Sequence, residues 1–345
     1  MVYSDKMNTK IISKKSECHH AFPILFQDKI NSEKLTVVYR SASKHLFDKN
    51  SQILRKVSLD GGNTWNSSTI LYKDEGFDCR NYGGGVTSKN EYFLFFVKWN
   101  GGYPNESFDL WYIHGINGFD EVTINHINIK PAVLSPYGKL IDIPEKNILI
   151  QGYYIGSYEL VDNKLCILVS NDNGKTWINK TIFHGMKNIT LTETDFIYLD
   201  NGKIFGISRD DSSNCIMILK SEDYGNIWNI KRIPINIMVV PWLCYIPERN
   251  KVVLFTGHEY NNCIGFRAMD ADMLFTEPKE IILSTPPKYL IKYPYKYNDC
   301  TYPSTSYIKK TDNFVVVHYG GTNNETYLYS SNIRYDEIVD IIKVV

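Results

Sequence analysis

Short runs of β-branched and aromatic residues alternate with polar turns along the chain. Six of these runs read LTVVYR, YFLFFVKW, NILIQGYY, KIFGIS, KVVLFTG and NFVVVHYG, and Asn, Asp, Gly and Lys bound them. Runs with a period near two are typical of β-strands. No segment offers a helical apolar stripe longer than about two or three turns. The pattern therefore predicts an all-β fold.

A polar unit of the form SxDxGxTW follows some of these runs. It occurs as VSLDGGNTWN, as VSNDNGKTWI and, more loosely, as KSEDYGNIWN. The Asp can accept hydrogen bonds from N–H groups two or three residues further on, the Gly supplies a positive φ, and the Trp can pack over the strands of its own hairpin. We interpret the unit as a structural turn rather than as a catalytic site. Its central residues are Asp60, Trp65, Asp172, Trp177, Asp223 and Trp228.

The strand runs recur at intervals of about 50 to 60 residues, the length of a propeller blade. Each run ends at or next to one of six residues: Arg40, Lys98, Tyr154, Arg209, His258 and Tyr319. Hairpin repeats that cannot bury both faces alone stack radially into a propeller. We expect a six-bladed β-propeller in a single domain over residues 1–345. Either the N-terminal KIIS stretch or the C-terminal VDIIKVV stretch would supply its closing outer strand.

Charge and composition narrow the range of functions. The 38 basic and 38 acidic side chains cancel, so bulk charge attracts neither nucleic acid nor an anionic membrane. No apolar run approaches the length of a membrane span, and the N-terminus lacks the apolar core of a signal peptide. We therefore expect no nucleic-acid partner, no membrane insertion, and a cytoplasmic or virion-associated location.

The cysteines carry no recognisable metal or disulfide motif. All seven are scattered and none forms a CxxC pair, which indicates neither a disulfide framework nor a zinc knuckle. We interpret most of them as buried thiols. No metal and no cofactor are expected.

In a propeller, the first residues of the innermost strands and the loops after the second strands meet at one face. These positions are rich in Arg, His, Tyr and carboxylates, which predicts a functional site there. Taken blade by blade, they are His20, Ala21, Arg40 and His45; Asp78, Arg80 and Lys98; Tyr137 and Tyr153; Glu193 and Arg209; Trp242 and His258; and Tyr302 and His318. Structural alternatives stay open: ion pairs for Arg80, Arg209 and Glu193, solvated strand ends for Arg40 and Lys98, and packing for the histidines and tyrosines.

The turns and the blade order resemble those of the sialidase (neuraminidase) superfamily, with its Asp-box (BNR) repeats, over essentially the whole chain. The most specific match outside the turns is TETDFIYLDNGKIFGISRDD. There Glu193 and Arg209 have the sixteen-residue spacing of the family's glutamate and of an arginine that binds the substrate carboxylate. Tyr302, in CTYPSTSYI, matches the nucleophilic tyrosine. The resemblance implies that Tyr302 attacks the sugar and that Glu193 accepts its proton.

Three positions depart from the family's pattern. HAFP replaces the Phe/Tyr-Arg-Ile-Pro motif, so Ala21 stands where the first carboxylate-binding arginine belongs. His45, in YRSASKH, takes the place of the acid/base aspartate, and a histidine acid would titrate near neutrality. His258, in TGHEY, takes the place of the third arginine. Binding of a carboxylate would then depend on Arg209 with help from Arg40 and Arg80.

The leading hypothesis is a glycoside hydrolase that acts on an acidic sugar, either sialic-acid-like or a uronate, with a glycan as its partner. The predicted catalytic residues are Tyr302, Glu193 and His45, and the predicted substrate-binding residues are Arg40, Asp78, Arg80, Lys98, Tyr137, Arg209 and His258. Two alternatives stay open. One is a polysaccharide lyase that removes the C5 proton of a uronate, and the other is a non-enzymatic propeller that binds a glycan or receptor, including one carried on a virion.

Overall fold

β-strands make up nearly all of the regular structure, as the alternating pattern predicts. A computed structural model describes residues 8–101, 108–129, 133–156, 163–184, 189–211, 215–234, 239–258, 263–276, 288–292 and 299–338. The chain divides into two units: unit 1 is residues 1–73 with 237–345, and unit 2 is residues 74–236. The expectation of a single domain over residues 1–345 stays a prediction.

Within its described residues, unit 1 contains twelve strands, two short α-helical segments, one of them at residues 335–338, and a 3₁₀ helix at Pro247–Arg249. The strands and the other α-helical segment are β1 (Asn8–Ser13), β2 (His19–Gln27), β3 (Leu35–Ala42), β4 (Gln52–Ser58), β5 (Thr69–Lys73), β20 (Val239–Ile246), β21 (Lys251–His258), β22 (Cys263–Asp270), α1 (Met273–Thr276), β23 (Lys288–Lys292), β24 (Asp299–Ile308), β25 (Asn313–Gly321) and β26 (Thr326–Arg334). An eight-stranded sheet runs in the order β24-β25-β26-β2-β3-β4-β5, with β1 also paired to β26, and a second sheet contains β20 to β23 in order.

Unit 2 contains the remaining fourteen described strands. They are β6 (Asp78–Val86), β7 (Tyr92–Trp99), β8 (Phe108–Ile116), β9 (Glu121–Ile127), β10 (Val133–Pro136), β11 (Gly138–Lys139), β12 (Ile141–Ile143), β13 (Ile148–Gly156), β14 (Lys164–Ser170), β15 (Ile178–His184), β16 (Leu191–Tyr198), β17 (Ile204–Asp210), β18 (Cys215–Ser221) and β19 (Asn229–Pro234). They form three sheets: β11-β6-β7-β8-β9, β10-β13-β14-β15 with β12 on β13, and β16-β17-β18-β19.

The number of sheets differs from the predicted six blades. Four of the described sheets have four or five strands, the size of one blade, and the fifth has eight. The larger sheet arises because β2 and β26 meet in a single parallel pair, His19 with Thr326, which joins two antiparallel groups of strands. The prediction of six separate blades is therefore wrong, and four blade-sized sheets are present among the described strands.

All six predicted strand runs are strands in the structure: β3, β7, β13, β17, β21 and β25. Each has hydrogen-bonded strands on both sides. In β7, for example, all residues from Tyr92 to Val97 are fully buried. Continuous burial of this kind matches near-continuous apolar runs rather than strict alternation. These strands form the cores of the sheets.

The N-terminal stretch supplies an outer strand of unit 1. β1 pairs antiparallel with β26, with Thr9 opposite Ser331 and Lys10 opposite Ser330. This confirms the first of the two predicted closing strands, KIIS. The other candidate, VDIIKVV, lies outside the described residues. Because β1 covers β26, it removes one exposed sheet edge.

The SxDxGxTW units are turns, as predicted, and each joins the third and fourth strands of an antiparallel group. In the first unit, Asp60 Oδ1 accepts hydrogen bonds from the Ser58 hydroxyl at 2.8 Å and from the Thr64 N–H at 2.8 Å, and Ser58 Oγ accepts from the Gly62 N–H at 2.8 Å. An N–H group four residues further on, one residue beyond the predicted reach, donates to Asp172 and Asp223 as well. At Asp223 the N–H of Asn226, three residues further on, also donates at 3.0 Å, as predicted.

One tryptophan of these turns packs differently from the prediction. Trp177 lies edge-on to Phe93 and Phe95 of the neighbouring sheet, with ring centroids 6.1 and 5.1 Å away, rather than over its own hairpin. Gly174 makes this approach possible, because its φ is +80° and a Cβ there would lie 2.4 Å from the Phe93 ring. The turn thus fastens two sheets of unit 2 together.

The described residues also bear on two expectations drawn from composition, the absence of a membrane span and the burial of the cysteines. None of the described helices is both long and apolar enough to cross a bilayer. The described cysteine side chains form no disulfide, and Cys79, Cys166, Cys244 and Cys300 are buried, as expected for packed thiols.

Candidate active site

Two strands of unit 1 are bulged where candidate residues lie. The register of β2 against β3 shifts next to Phe22, whose φ is 54°. The register of β24 against β25 shifts between Thr301 and Ser304, and Tyr302 within the shift has a φ of 47°. Positive φ is costly for residues with a Cβ, and such strain concentrates at functional sites. The Phe22 and Tyr302 rings lie edge to face with centroids 5.2 Å apart.

A buried carboxylate at the start of β24 collects three hydrogen bonds. Asp299 Oδ2 lies 2.6 Å from Nε2 of His19 and 2.7 Å from Nδ1 of His45. The Tyr319 hydroxyl donates to Asp299 Oδ1 at 2.8 Å. Asp299 and His19 are buried, whereas 34% of the His45 side chain is exposed. This Asp299 cluster, made of Asp299, His19, His45 and Tyr319, therefore connects a buried carboxylate to a solvent-accessible imidazole.

The electrostatics of the Asp299 cluster define its protonation. Burial alone would raise the pKa of Asp299, but the hydrogen bonds from His19 and His45 outweigh burial and hold that pKa well below its usual range. An ionised carboxylate can only accept hydrogen bonds. Both imidazole nitrogens that face Asp299 must therefore carry protons. In its neutral form His45 then has Nδ1–H directed at Asp299 and an unprotonated Nε2.

Aromatic rings surround the accessible imidazole. His45 lies edge-on to His19, with centroids 5.3 Å apart, and edge-on to Phe22 at 5.5 Å. Tyr302 packs against Phe22 and lies 5.8 Å from the Tyr319 ring. His45 and Tyr302 thus both contact Phe22 edge-on. The arrangement places an oriented imidazole and a phenol close together in unit 1, and both side chains can exchange protons.

The Asp299 cluster is also the one group of described residues with the composition of a metal site. Its three ligand atoms lie within 4.8 Å of one another. However, Arg40 Nη1 lies 3.4 Å from His19 Nδ1. Arginine only donates hydrogen bonds, whereas a metal-bound histidine usually donates its second N–H to an acceptor. The second shell of His19 therefore suits a hydrogen-bonded imidazole better than a metal ligand.

Arg40, a predicted substrate-binding residue, has no accessible surface. Its Nη1 donates to the Lys44 carbonyl at 2.9 Å and its Nη2 donates to the Leu46 carbonyl at 3.1 Å. These contacts indicate that Arg40 supports the loop of residues 43–51, here called the His45 loop, rather than contacting a substrate directly.

In unit 2, Arg209 lies between two carboxylates. Its Nε is 2.5 Å from Asp211 Oδ1, and its Nη1 is 3.5 Å from Glu193 Oε2. Burial raises the pKa of Asp211 to about 6, with a further contribution from the negative charge of Glu193 and partial opposition from Arg209. This Arg209 cluster, made of Arg209, Glu193 and Asp211, therefore combines one guanidinium group with two carboxyl groups. The ion pair between Glu193 and Arg209 matches the structural alternative that the sequence left open for these two residues, and their catalytic and binding roles stay predictions.

Two tyrosines belong to the same region of unit 2. Tyr137 is buried, and burial followed by the charges of Asp195 and Glu193 raises its pKa well above the ordinary value. Burial, with the Glu193 charge next in size, also raises the pKa of Tyr154. Both phenols therefore stay protonated at neutral pH. They can donate hydrogen bonds beside the Arg209 cluster.

Asp78, Arg80 and Lys98, the remaining predicted substrate-binding residues of unit 2, all take part in ion pairs. Arg80 Nη1 lies 3.7 Å from Asp78 Oδ2, and 12% of the Arg80 side chain is exposed. Lys98 Nζ lies 2.8 Å from Asp74 Oδ2 and sits 3.6 Å above the Trp111 ring. The Arg80 contact matches its structural alternative, a salt bridge to Asp78, whereas Lys98 is buried and ion-paired rather than a solvated strand end.

Some predicted positions have packing roles. Tyr153 is buried and donates to Asn179 Oδ1 at 2.6 Å, and Trp242 is buried and donates to the Thr305 carbonyl at 3.1 Å. His318 is buried and stacks on Tyr329, with ring centroids 5.3 Å apart. Ala21 is fully buried. The His258 side chain lies outside the described residues.

Sequence reasoning missed three residues of these clusters, namely His19, Asp299 and Asp211. It selected His20, but His20 faces the other side of β2, against Tyr39, and burial lowers its pKa to about 4. Successive strand residues point to opposite faces, so a one-residue error exchanges the two histidines. Asp299 comes three residues before Tyr302, and that spacing was the available signal.

No protein-family model matches the chain, and no curated protein matches it in sequence. Solved structures do match. A protein of unknown function from Dyadobacter fermentans has a TM-score of 0.80 at 15% identity, over 94% of this chain and 97% of that one.

Two sialidases also match. Trypanosoma rangeli sialidase in complex with sialic acid has a TM-score of 0.71 at 13% identity, over 98% of this chain and 60% of the sialidase. The NanB sialidase from Streptococcus pneumoniae has a TM-score of 0.70 at 12% identity, over 95% of this chain and 71% of NanB. The chain therefore spans about 60% of the trypanosomal enzyme's length. At these identities the likeness concerns the fold, and the fold of this chain is an all-β propeller resembling that of sialidases.

Proposed function

We propose that this protein is a carbohydrate-active enzyme of sialidase-like fold that acts on an acidic sugar, with glycoside hydrolysis as its reaction. The observation that carries the proposal is the hydrogen bond between Asp299 and the accessible His45, beside Tyr302. A structural neighbour of the same fold was solved with sialic acid bound. The fold likeness supports the class of ligand, and the side chains of unit 1 support the chemistry.

His45 is proposed as the acid that protonates the leaving oxygen. Asp299 stays ionised and holds His45 Nδ1–H at 2.7 Å, which orients the ring and stabilises the imidazolium. Nε2 is then the atom that carries the transferable proton. Because 34% of the side chain is exposed, a substrate can approach it. General acid–base catalysis of this kind contributes about 10²- to 10⁴-fold to rate.

Tyr302 is proposed as the nucleophile. A neutral phenol approaches an anionic sugar without the charge repulsion that a carboxylate would meet. The bulge at residues 301–304 and the edge contact with Phe22 hold its ring in a defined orientation. The role of Glu193 as the acceptor of the Tyr302 proton stays a prediction, because the two residues belong to different units.

Binding of the sugar carboxylate is proposed for Arg209, with Arg80 as a second candidate. Arg209 is 27% exposed and Arg80 is 12% exposed, so both guanidinium groups can meet a ligand. A ligand carboxylate would compete with Asp211 for Arg209, and the raised pKa of Asp211 makes that competition easier below about pH 6. Asp78, Lys98, Tyr137 and His258 stay predicted contributors to binding.

The test is hydrolysis of 4-methylumbelliferyl glycosides of sialic acid, glucuronic acid and galacturonic acid. We expect wild-type turnover of at least one of these. We also expect a rate loss of about 100-fold or more in Tyr302→Phe and in His45→Gln. Tyr327→Phe is the matched control, because Tyr327 is a half-buried tyrosine whose hydroxyl donates to Glu325. Full rates in both Tyr302→Phe and His45→Gln would reject this mechanism.

A second reaction, uronate elimination, is favoured by a specific feature of unit 1. The Asp299 carboxylate already accepts three hydrogen bonds from described residues, so it is poorly placed to transfer a proton itself. The groups suited to proton transfer are then the His45 imidazole and the Tyr302 phenol. In elimination, one of these removes the C5 proton, the electrons form the C4–C5 double bond, and the other protonates the departing O4. Incubation with polygalacturonate or alginate would produce ultraviolet absorbance if elimination occurs. Tight glycan-array binding with neither activity would instead support the binding-propeller alternative.

A further inference from the structure

We infer that Arg40 is a positioning residue that holds the His45 loop and sets the direction of the hydrogen bonds in the Asp299 cluster. The functional consequence of this inference rests on the proposed role of His45. The structural part does not depend on any activity. It replaces the substrate-binding role that the sequence suggested for Arg40.

The first argument is the pattern of main-chain contacts. The Arg40 guanidinium donates to the carbonyls of Lys44 and Leu46, the residues immediately before and after His45. The His45 N–H itself donates to the Asn323 carbonyl at 2.8 Å. Three consecutive loop residues are therefore anchored by their main-chain groups. Only a planar fork with several fixed donors can span two carbonyls in this way, and lysine lacks such a fork.

The second argument is burial. Arg40 is fully buried in β3, opposite Ala21 of β2. A side chain without accessible surface can contact a ligand only if its surroundings rearrange, and removal of one partner of a buried charge carries a large desolvation cost. The loop is also closed by Asp48, whose side chain accepts from the Ser43 and Asn50 N–H groups at 2.6 and 2.9 Å. The negative charge of Asp48 partly balances Arg40.

The third argument is the tautomer of His19. Arg40 Nη1 approaches His19 Nδ1 at 3.4 Å, and arginine has no acceptor. His19 Nδ1 must therefore accept, which puts the ring proton on Nε2, directed at Asp299. Asp299 remains an acceptor for the adjacent His45 Nδ1–H. Arg40 thus supports His45 from two directions, through the loop backbone and through the His19–Asp299 hydrogen bond.

The test compares Arg40→Lys with Arg55→Lys. Arg55 lies on the neighbouring strand β4, and its Nε contacts Thr69 Oγ1 at 3.3 Å, away from the His45 loop, so it is a matched arginine-to-lysine control. Hydrogen exchange of the His45 amide reports on the loop. ¹⁵N NMR of the imidazoles reports on the tautomers, and eight histidines make a tractable spectrum.

In Arg40→Lys we expect at least about tenfold faster exchange of the His45 amide, since one of its flanking anchors is lost. We also expect the ¹⁵N chemical shift of His19 Nδ1 to change, because this nitrogen loses the Arg40 donor while Nε2 keeps its proton directed at Asp299. With the methylumbelliferyl glycoside that wild type turns over fastest, kcat should fall about 10- to 100-fold while KM changes less than about threefold. Arg55→Lys should change none of these quantities.

Unchanged His45 exchange and an unchanged ¹⁵N shift of His19 Nδ1 in Arg40→Lys would overturn the inference. So would a rise of about tenfold or more in KM at constant kcat, because that result would indicate direct substrate binding. If Arg40→Lys is too unstable to study, Arg40→Gln provides a second variant with a planar donor group and the same two NMR readouts. Absence of turnover by wild type on every probe would reject the proposed function, while the exchange and tautomer data would still test the role of Arg40.

Discussion

The Asp299 cluster of unit 1 and the Arg209 cluster of unit 2 combine similar residue types with opposite electrostatics. Asp299 is surrounded by donors from His19, His45 and Tyr319, and its pKa is held below the usual range. Asp211 shares Arg209 with Glu193, and its pKa is raised to about 6. Burial by itself would raise the pKa in both clusters. The balance of donors and acceptors around a buried carboxylate therefore decides the sign of the shift.

The comparison also separates two kinds of task. A carboxylate that stays ionised can orient a histidine over the whole working pH range. A carboxylate that titrates near pH 6 can release its arginine to an anionic ligand as the pH falls. Under the proposed function, proton transfer would fall to the Asp299 cluster of unit 1, and the Arg209 cluster of unit 2 would bind an anion.

The largest expected effect is on activity. Asp299→Asn should lower the rate on the best methylumbelliferyl glycoside by about 100-fold or more, because a neutral amide stabilises the His45 imidazolium poorly and offers a competing N–H. Asp211→Asn should lower it by less than about tenfold, since Arg209 remains. Steady-state kinetics of the two variants provide the measurement. Equal losses would remove the distinction between the clusters.

The next effect is on stability. Asp299→Ala should reduce the free energy of unfolding by about 1 to 3 kcal/mol, because it leaves the buried N–H of His19 without its acceptor. Asp211→Ala should change it by less than about 1 kcal/mol, since 37% of the Asp211 side chain is exposed. Urea unfolding at pH 7 measures both values. A small loss in Asp299→Ala would mean that the three hydrogen bonds contribute little net stability.

A smaller effect concerns the sign of the pH dependence. Asp299 has a lowered folded-state pKa, so its stabilisation is present above the unfolded pKa and is lost as the pH falls through the folded value. Asp211 has a raised folded-state pKa of about 6, so its ionised form opposes folding at pH 7 and this cost disappears as the pH falls towards 4.

Asparagine substitution should therefore have opposite consequences at the two sites. At pH 7, Asp299→Asn should destabilise the protein. Asp211→Asn should stabilise it by up to about 1 kcal/mol after allowance for solvent screening, with no gain at pH 4. Unfolding curves at pH 4 and pH 7 provide the check. Destabilisation by Asp211→Asn at pH 7 would show that its bond to Arg209 outweighs burial.

The smallest effect expected is that of added zinc. Because Arg40 directs the His19 proton towards Asp299, the Asp299 cluster should bind Zn²⁺ with a Kd no tighter than about 1 mM. Isothermal titration of wild type and His45→Gln measures this. Saturable binding at micromolar Zn²⁺ that disappears in His45→Gln would identify a metal site and would contradict the tautomer argument.

Much of the fold was predictable because its signals are local. Runs such as YFLFFVKW predicted β7 with its bounds, and the Ser, Asp and Gly spacing predicted the turns. The pairing of the N-terminal KIIS stretch was predicted as one of two alternatives. The number of separate sheets was not predictable, since it depended on one parallel pair between residues 307 positions apart, His19 and Thr326.

The candidate site was predictable only in part. Position and the family resemblance singled out His45, Tyr302, Glu193 and Arg209 as candidates, and their roles stay predictions. The role of Arg40 could not be found in this way, because a buried and an exposed arginine at a strand end look the same in sequence. Asp299 and His19 are 280 residues apart, and no local pattern connects them.

The sequence by itself determined where strands and turns form, since a period of two, β-branched residues and glycine at positive φ act within a few residues. The tertiary structure alone decided which of two adjacent histidines faces Asp299, which arginine is buried, and which carboxylate keeps its charge. Those outcomes depend on strand register and on the number of donors that distant segments bring together. Both are properties of packing rather than of any single segment.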